Sequence, residues 1–337
     1  MTRAVLRAAA MLVVFANGCR PESPVPHLPP VARADTSRAG NNWPVAPDVA
    51  EALLTKEPLE FATIHATEQG VAGAMKADVV FPRTGKHLTV KWKALPAAHM
   101  DGWNNNPRKE IANYEIQRWF LDPKDYVVPT VALRCVPVAA MRVADPTAAP
   151  TIEGTGCVLG TLSLWLEHVK VPEPLYDPER FATEPWYAYH LSNFNLLAYL
   201  VEHRDGRPGN ILTADVEANR RVFAVDNGIS FGGLVYNFLT TNWDVIRVPA
   251  VRREAIERLR AIDRDRLDAL GTLAELTADR NGVLRPVRLR APIDPTTGVR
   301  VRPGGLQMGL TTDEIDAVAD RLKALLRRVD DGHLPTF

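Results

Sequence analysis

Apolar residues recur along this chain of 337 residues with two periods, first mostly two and later mostly three to four. The early part carries extended text: Phe61-Ala62-Thr63-Ile64, then Val79, Val80 and Phe81, then an alternating run from Lys86 to Lys93. In that run Leu88, Val90 and Trp92 share one face of a strand, and Thr89, Lys91 and Lys93 share the other. Pro107 opens a stretch to Leu121 with apolar residues at 111, 114 or 116, and 119 to 120, which predicts a helix. Trp186 to Glu202 has a helical rhythm through Tyr189, Phe194, Leu197 and Leu200. Arg221 to Val225 reads as a strand. Val251 to Leu276 predicts a charged amphipathic helix or helix pair. Thr311 and Glu314 form a capping box for a last helix through Ile315, Val318, Leu322 and Leu325.

Between the helix at 186–202 and the strand at 221–225 lies His203-Arg204-Asp205-Gly206-Arg207-Pro208-Gly209-Asn210, and Asp226-Asn227-Gly228 follows that strand. Phosphoryl transfer needs a carboxylate near the attacking hydroxyl, and a second carboxylate with an amide oxygen to hold a divalent ion on the nucleotide's phosphates. Asp205, Asp226 and Asn210 supply that set. A helix, a loop, a strand and an Asp-x-Gly turn form the order of elements that brings such loops together.

At these residues the chain resembles the protein-kinase superfamily in its broad sense. His203-Arg204-Asp205 with Asn210 matches the catalytic loop of protein kinases. Asp226-Asn227-Gly228-Ile229-Ser230-Phe231-Gly232 is similar to the turn of the secreted Golgi casein kinase and four-jointed-like group, and Gly209-Asn210-Ile211-Leu212 to phosphatidylinositol 3- and 4-kinases. The resemblance is to an atypical branch, and spans about Phe61 to Leu270. It implies an α+β, bilobal protein-kinase-like fold, with a β-rich N-lobe at 49–168 and a helical C-lobe at 169–337.

It also implies a strand lysine that grips the α- and β-phosphates of ATP and a helix glutamate that positions it. Lys91 follows Val90 as the family's lysine follows its valine, with Lys93 in reserve. Glu110 in Lys109-Glu110-Ile111-Ala112-Asn113-Tyr114 resembles the group's glutamate helix. Glu115 is the alternative, about 140° away on the helical wheel. A phosphate-covering loop is expected at His65 to Gly73, with Gly70 in it, although this stretch lacks three spaced glycines and also reads as an ordinary hairpin turn. Tyr126 to Thr130 corresponds to a lobe strand, and Gly160 to Leu166 to the passage toward the hinge. No Ala-Pro-Glu marks the end of an activation segment.

The expected activity is transfer of the γ-phosphoryl group of ATP to a hydroxyl of a protein, glycan, lipid or small molecule, with Mg²⁺ or Mn²⁺. Asp205, Lys91 and Glu110 are the catalytic residues, Lys91, Gly70, Asn210 and Asp226 bind the nucleotide, and Asn210 and Asp226 hold the metal. The alternative is a pseudokinase scaffold.

Composition fits a globular chain: 46% hydrophobic and 24% charged, with 40 basic and 40 acidic residues. That balance gives no reason to expect nucleic-acid binding. Arg3 and Arg7 precede an apolar stretch from Ala8 to Ala16, then Asn17-Gly18-Cys19. This resembles a bacterial lipoprotein signal peptide at 1–18, with Cys19 as the lipidated residue and Ala16 standing where Leu is usual. Plain secretion and a misassigned start with a cytoplasmic product are the alternatives. Residues 19–48, with seven prolines from Pro21 to Pro47, read as a tether to the cell envelope. The chain without residues 1–18 has 38 basic and 40 acidic residues. Cys135 and Cys157 are either a disulfide or two buried thiols. No His/Cys cluster has zinc-ligand spacing. Six arginines from Arg280 to Arg302 mark a solvated hairpin face that an acidic substrate could also use.

Overall fold

A computed structural model describes residues 42–67, 73–95, 106–172, 174–207, 209–215, 221–232 and 243–337. Cys19, Gly70 and the proposed signal peptide lie outside the described residues. The first layer is a five-stranded antiparallel sheet in the order β1 (Glu60–Ala66), β2 (Met75–Phe81), β3 (Lys86–Ala94), β5 (Cys157–Leu164), β4 (Val131–Pro137). Alternation in β3 does what its spacing predicts: Leu88, Val90 and Trp92 are buried on the core face. Two helices flank this sheet, α1 (Pro47–Lys56) and α2 (Pro107–Gln117), and the four-residue α3 (Val138–Met141) follows β4.

The Asn106 side chain caps α2 by accepting from Arg108 N–H, and Pro107 occupies its first turn. The helix ends earlier than its apolar pattern suggests. Tyr126 to Thr130 forms no strand either, for a traceable reason. Gln117 accepts from the backbone N–H groups of Val127 and Val128, both at 2.8 Å, and donates to the Val128 carbonyl at 2.9 Å. One buried amide thus satisfies backbone groups that a ladder would otherwise pair.

Cys135 and Cys157 form a disulfide, with Cα atoms 5.4 Å apart, that staples β4 to β5. Gly160 on β5 sits where a Cβ would come within 2.5 Å of the Lys93 carbonyl oxygen and 2.7 Å of the Trp92 ring. That close approach needs glycine.

The second layer is built on α5 (Pro185–Leu200), a helix buried on nearly all sides, preceded by the short α4 (Pro178–Thr183). A small sheet of β6 (Val169–Lys170), β7 (Ile211–Ala214) and β8 (Val222–Ala224) links the layers. Helices α6 (Arg253–Arg260), α7 (Arg264–Asp268) and α8 (Thr312–Asp330) complete the helical part. The α8 capping box of Thr311 and Glu314 is present.

The helix expected up to Leu276 stops at a 3-10 turn, Ala269–Gly271, and gives way to a second antiparallel sheet. This sheet orders β10 (Leu284–Pro286), β9 (Ala274–Ala278), β12 (Gly305–Met308) and β11 (Val299–Arg302). Its arginines are not all solvated. Arg300 is buried and donates to the Asp294 and Gly271 carbonyls, while Arg290 and Arg302 close over Glu275, whose side chain is fully buried. The sheet also reaches the first layer, where Gly156 N–H donates to the Gly282 carbonyl at 2.8 Å. A β-rich part and a helical part therefore face each other across a cleft, the α+β bilobal arrangement expected. No helix among the described residues is long and apolar enough to cross a membrane.

Candidate active site

Strand register places Asn210 and Asp226 side by side. In the β7–β8 hairpin Ile211 pairs with Ala224, and Val225 N–H donates to the Asn210 carbonyl at 2.8 Å, so Asn210 lies beside Asp226. Asp226 then turns into left-handed backbone, φ +60°, a conformation that aspartate tolerates better than bulkier residues. Its carboxylate points back to the first layer: Lys93 Nζ donates to Asp226 Oδ1 at 2.7 Å, and Lys91 Nζ lies 3.6 Å from the same oxygen.

The two lysines do share a face, but the one that pairs with Glu110 is not the one expected. Lys93, not Lys91, contacts Glu110, at 3.4 Å, and both side chains are only 5% exposed. Lys91 is less enclosed and lines the cleft. A strand's period of two presents both ammonium groups equally; the position of α2 selects between them. Ser163 on β5 donates to the other Glu110 oxygen at 3.5 Å. Glu115 points elsewhere and pairs with Arg118 at 3.0 Å, while burial pushes its pKa up.

Asp205 is held by Asn210, whose amide nitrogen donates to Asp205 Oδ2 at 2.8 Å and to the Asp205 carbonyl at 3.2 Å. Arg207 reaches both carboxylates, 3.4 Å from Asp205 and 3.9 Å from Asp226. One guanidinium between them places the carboxylates in a single cleft. Arg207 was legible only as a position inside the Asp205–Asn210 loop, and Ser163 carried no sequence signal. His203 is buried, and burial lowers its pKa to about 4, which leaves it neutral at pH 7.

Three cations, Lys91, Lys93 and Arg207, thus face three carboxylates, Glu110, Asp205 and Asp226. Burial opposes the Asp226 charge, but Lys91 and Lys93 outweigh it and hold its pKa well below the usual carboxylate range. Burial likewise opposes the Lys91 charge, and Glu110 and Asp226 outweigh it and raise its pKa. At Asp205 burial dominates and raises the pKa, with Asp226 adding to it and Arg207 working against it. The two aspartates are therefore driven apart: one stays ionised and the other is more ready to take a proton.

A cavity of about 380 Å³ opens between the layers. Lys91, Glu110, Asn210 and Asp226 are among its polar lining, and Val131, Leu164, Leu166, Leu212 and Val225 supply apolar walls. An apolar slot with a few converging charges suits a planar base bearing a phosphate tail. The oxygen donors here are of the kind a hard divalent ion takes. With Asn210's nitrogen occupied by Asp205, its amide oxygen is left, and Asp226 adds a carboxylate, so both donors are hard oxygens. No group of three His, Cys, Asp or Glu side chains could hold a metal among the described residues. Two oxygen ligands without a protein cage fit Mg²⁺ or Mn²⁺ that also takes phosphate oxygens.

No protein-family model matches the chain, and no curated protein matches its sequence. Solved structures do. The chain resembles the Golgi casein kinase in fold. A crystal structure of that kinase with Mn/ADP bound aligns with a TM-score of 0.46 at 12% identity, covering 84% of this chain and 75% of the kinase chain. A second crystal structure of the kinase gives 0.47 at 11% identity, covering 84% and 74%.

Proposed function

We propose that this protein is an ATP-dependent phosphotransferase acting on a hydroxyl. The observation that carries this reading is a set of linked contacts at a single cavity: Lys91, Glu110, Asn210 and Asp226 line it, Lys93 joins Glu110 to Asp226, and Asn210 bonds Asp205. The base of ATP lies along the apolar walls, and the two lysines neutralise its α- and β-phosphates, Lys93 in the position that Glu110 fixes. Asp226 and Asn210 hold Mg²⁺ or Mn²⁺, which supplies charge neutralisation on the phosphates. Asp205 orients the acceptor and takes its proton as the acceptor oxygen bonds to the γ-phosphorus and the bond to ADP breaks. Arg207 offsets charge between the two aspartates.

The same reading attaches the protein to the cell envelope through Cys19, and the Cys135–Cys157 disulfide supports an oxidising compartment. Incorporation of labelled palmitate that is lost on Cys19→Ser tests the anchor.

A thermal-shift titration with ATP plus Mg²⁺ or Mn²⁺, run beside Asp226→Ala, tests the site. Binding at a hundred times Kd adds about 2.7 kcal/mol to stability. A metal-dependent rise in the wild type alone is expected. No rise in either, or an equal rise in both, overturns the assignment, and binding without transfer to any hydroxyl leaves a nucleotide-binding scaffold.

A further inference from the structure

Helix α2 does more than carry Glu110. Lys109, 5% exposed, sends its ammonium to the Ser230 carbonyl at 2.7 Å. One turn on, Asn113 donates to Ser230 Oγ at 3.2 Å, and that hydroxyl donates to the Asn227 carbonyl at 3.0 Å. Ser230 is 1% exposed. Lys109 also stands 3.7 Å from Glu314, the capping-box partner of Thr311 in α8, which Arg108 grips with two nitrogens. The loop so held is backbone that needs holding: Asp226 at φ +60° and Phe231 at φ +55° are non-glycine residues in left-handed conformation. Such residues persist when their surroundings over-determine them.

We propose that Lys109 and Ser230 are positioning residues that latch the Asp226–Phe231 loop to the glutamate helix, so that Lys93 meets Glu110 and Asp226 together. The contacts close a ring. Glu110 holds Lys93, Lys93 holds Asp226, the loop runs from Asp226 to Ser230, and Ser230 returns through Lys109 to the residue beside Glu110. Burial lowers the Lys109 pKa even with Glu314 nearby, so this ammonium is kept at a cost where a neutral side chain would fill the space. An outer residue that orients a ligand typically costs 10- to 100-fold in metal affinity or activity when removed.

The proposal rests on the phosphotransferase reading, and its test separates the two. Lys109→Met and Ser230→Ala are compared with wild type by calorimetry of ATP with and without Mn²⁺, and by amide hydrogen exchange. The expected result is a loss of about 10-fold or more in metal-dependent ATP affinity, metal-free affinity within about twofold, and faster exchange at 226–232 than in β3 or α5. Unchanged metal-dependent affinity with unchanged exchange overturns the latch, as does a loss shared equally by metal-free binding. If Lys109→Met does not fold, Ser230→Ala, which deletes the hydroxyl between Asn113 and the Asn227 carbonyl, decides the Ser230 half, and Lys109→Gln, which removes the ammonium but keeps a polar side chain, decides the other. If the wild type binds no ATP with metal, the phosphotransferase reading has failed. Exchange at 226–232 then decides the latch, with acceleration supporting it and no change overturning it.

Discussion

Replacing Lys93 by methionine asks which lysine the buried glutamate depends on. Methionine keeps most of the apolar stem and deletes the charge. Glu110, only 5% exposed at its side chain, then loses the cation that contacts it at 3.4 Å. Breaking a buried ion pair by removing one partner costs about 3–5 kcal/mol. Two features pull this case to the lower end. Asp226 is 22% exposed and keeps Lys91 at 3.6 Å and Arg207 at 3.9 Å. Glu110 also keeps the hydrogen bond from the Ser163 hydroxyl at 3.5 Å. The expected loss is therefore about 3 kcal/mol. Lys91→Met, which gives up one longer contact at a less enclosed site, should lose about 1 kcal/mol. Lys93→Met with Glu110→Gln removes the orphan charge and should recover about 2 kcal/mol relative to the sum of the single changes. Urea unfolding followed by tryptophan fluorescence measures the wild type, the single variants Lys93→Met, Lys91→Met and Glu110→Gln, and the double variant. A loss under about 1 kcal/mol for Lys93→Met, a larger loss for Lys91→Met, or simple additivity in the double variant would refute the Lys93–Glu110 assignment.

Asp205→Ala should leave metal-dependent ATP binding intact and cut transfer by about 10²- to 10⁴-fold, read as single-turnover formation of ADP; lost binding would place Asp205 in the nucleotide site instead. Reducing the Cys135–Cys157 bridge, whose partners are 22 residues apart, should lower stability by about 3 kcal/mol in a urea titration with and without reductant. Coincident curves would show that the bridge contributes nothing. Glu275, closed in by hydrogen bonds from Arg290 and Gln307, titrates at about 2. Its stabilisation is complete above the unfolded carboxylate value near 4.3 and is lost as pH falls toward 2, so Glu275→Gln should flatten that part of the acid limb of unfolding free energy against pH. An unchanged limb would deny the cluster its role.

Much of the site was written locally. Asp205 and Asn210 are five residues apart in one loop, and a short strand delivers Asp226, so one hairpin register sets Asn210 beside Asp226 and a local hydrogen bond adds Asp205. Period-two alternation put Lys91 and Lys93 on a common face, and the proline start and capping box marked α2 and α8. These are properties of neighbouring residues, and backbone geometry enforces them wherever the chain goes. What the tertiary structure decided depends on partners distant in sequence. Glu110 chooses Lys93 because α2, packed against β4 and α5, brings its carboxylate to that ammonium. Lys109 meets Ser230 across 121 residues, and Arg108 meets Glu314 across 206. The helical text after Val251 becomes strand at Ala274 because Leu276 and its neighbours find β12 beside them, where Leu306 pairs with Leu276. Gln117 cancels an expected strand by satisfying its backbone with one side chain. Local periodicity says which face a residue presents; only packing says what that face meets, because burying a charge is tolerable solely where the fold brings its counter-charge.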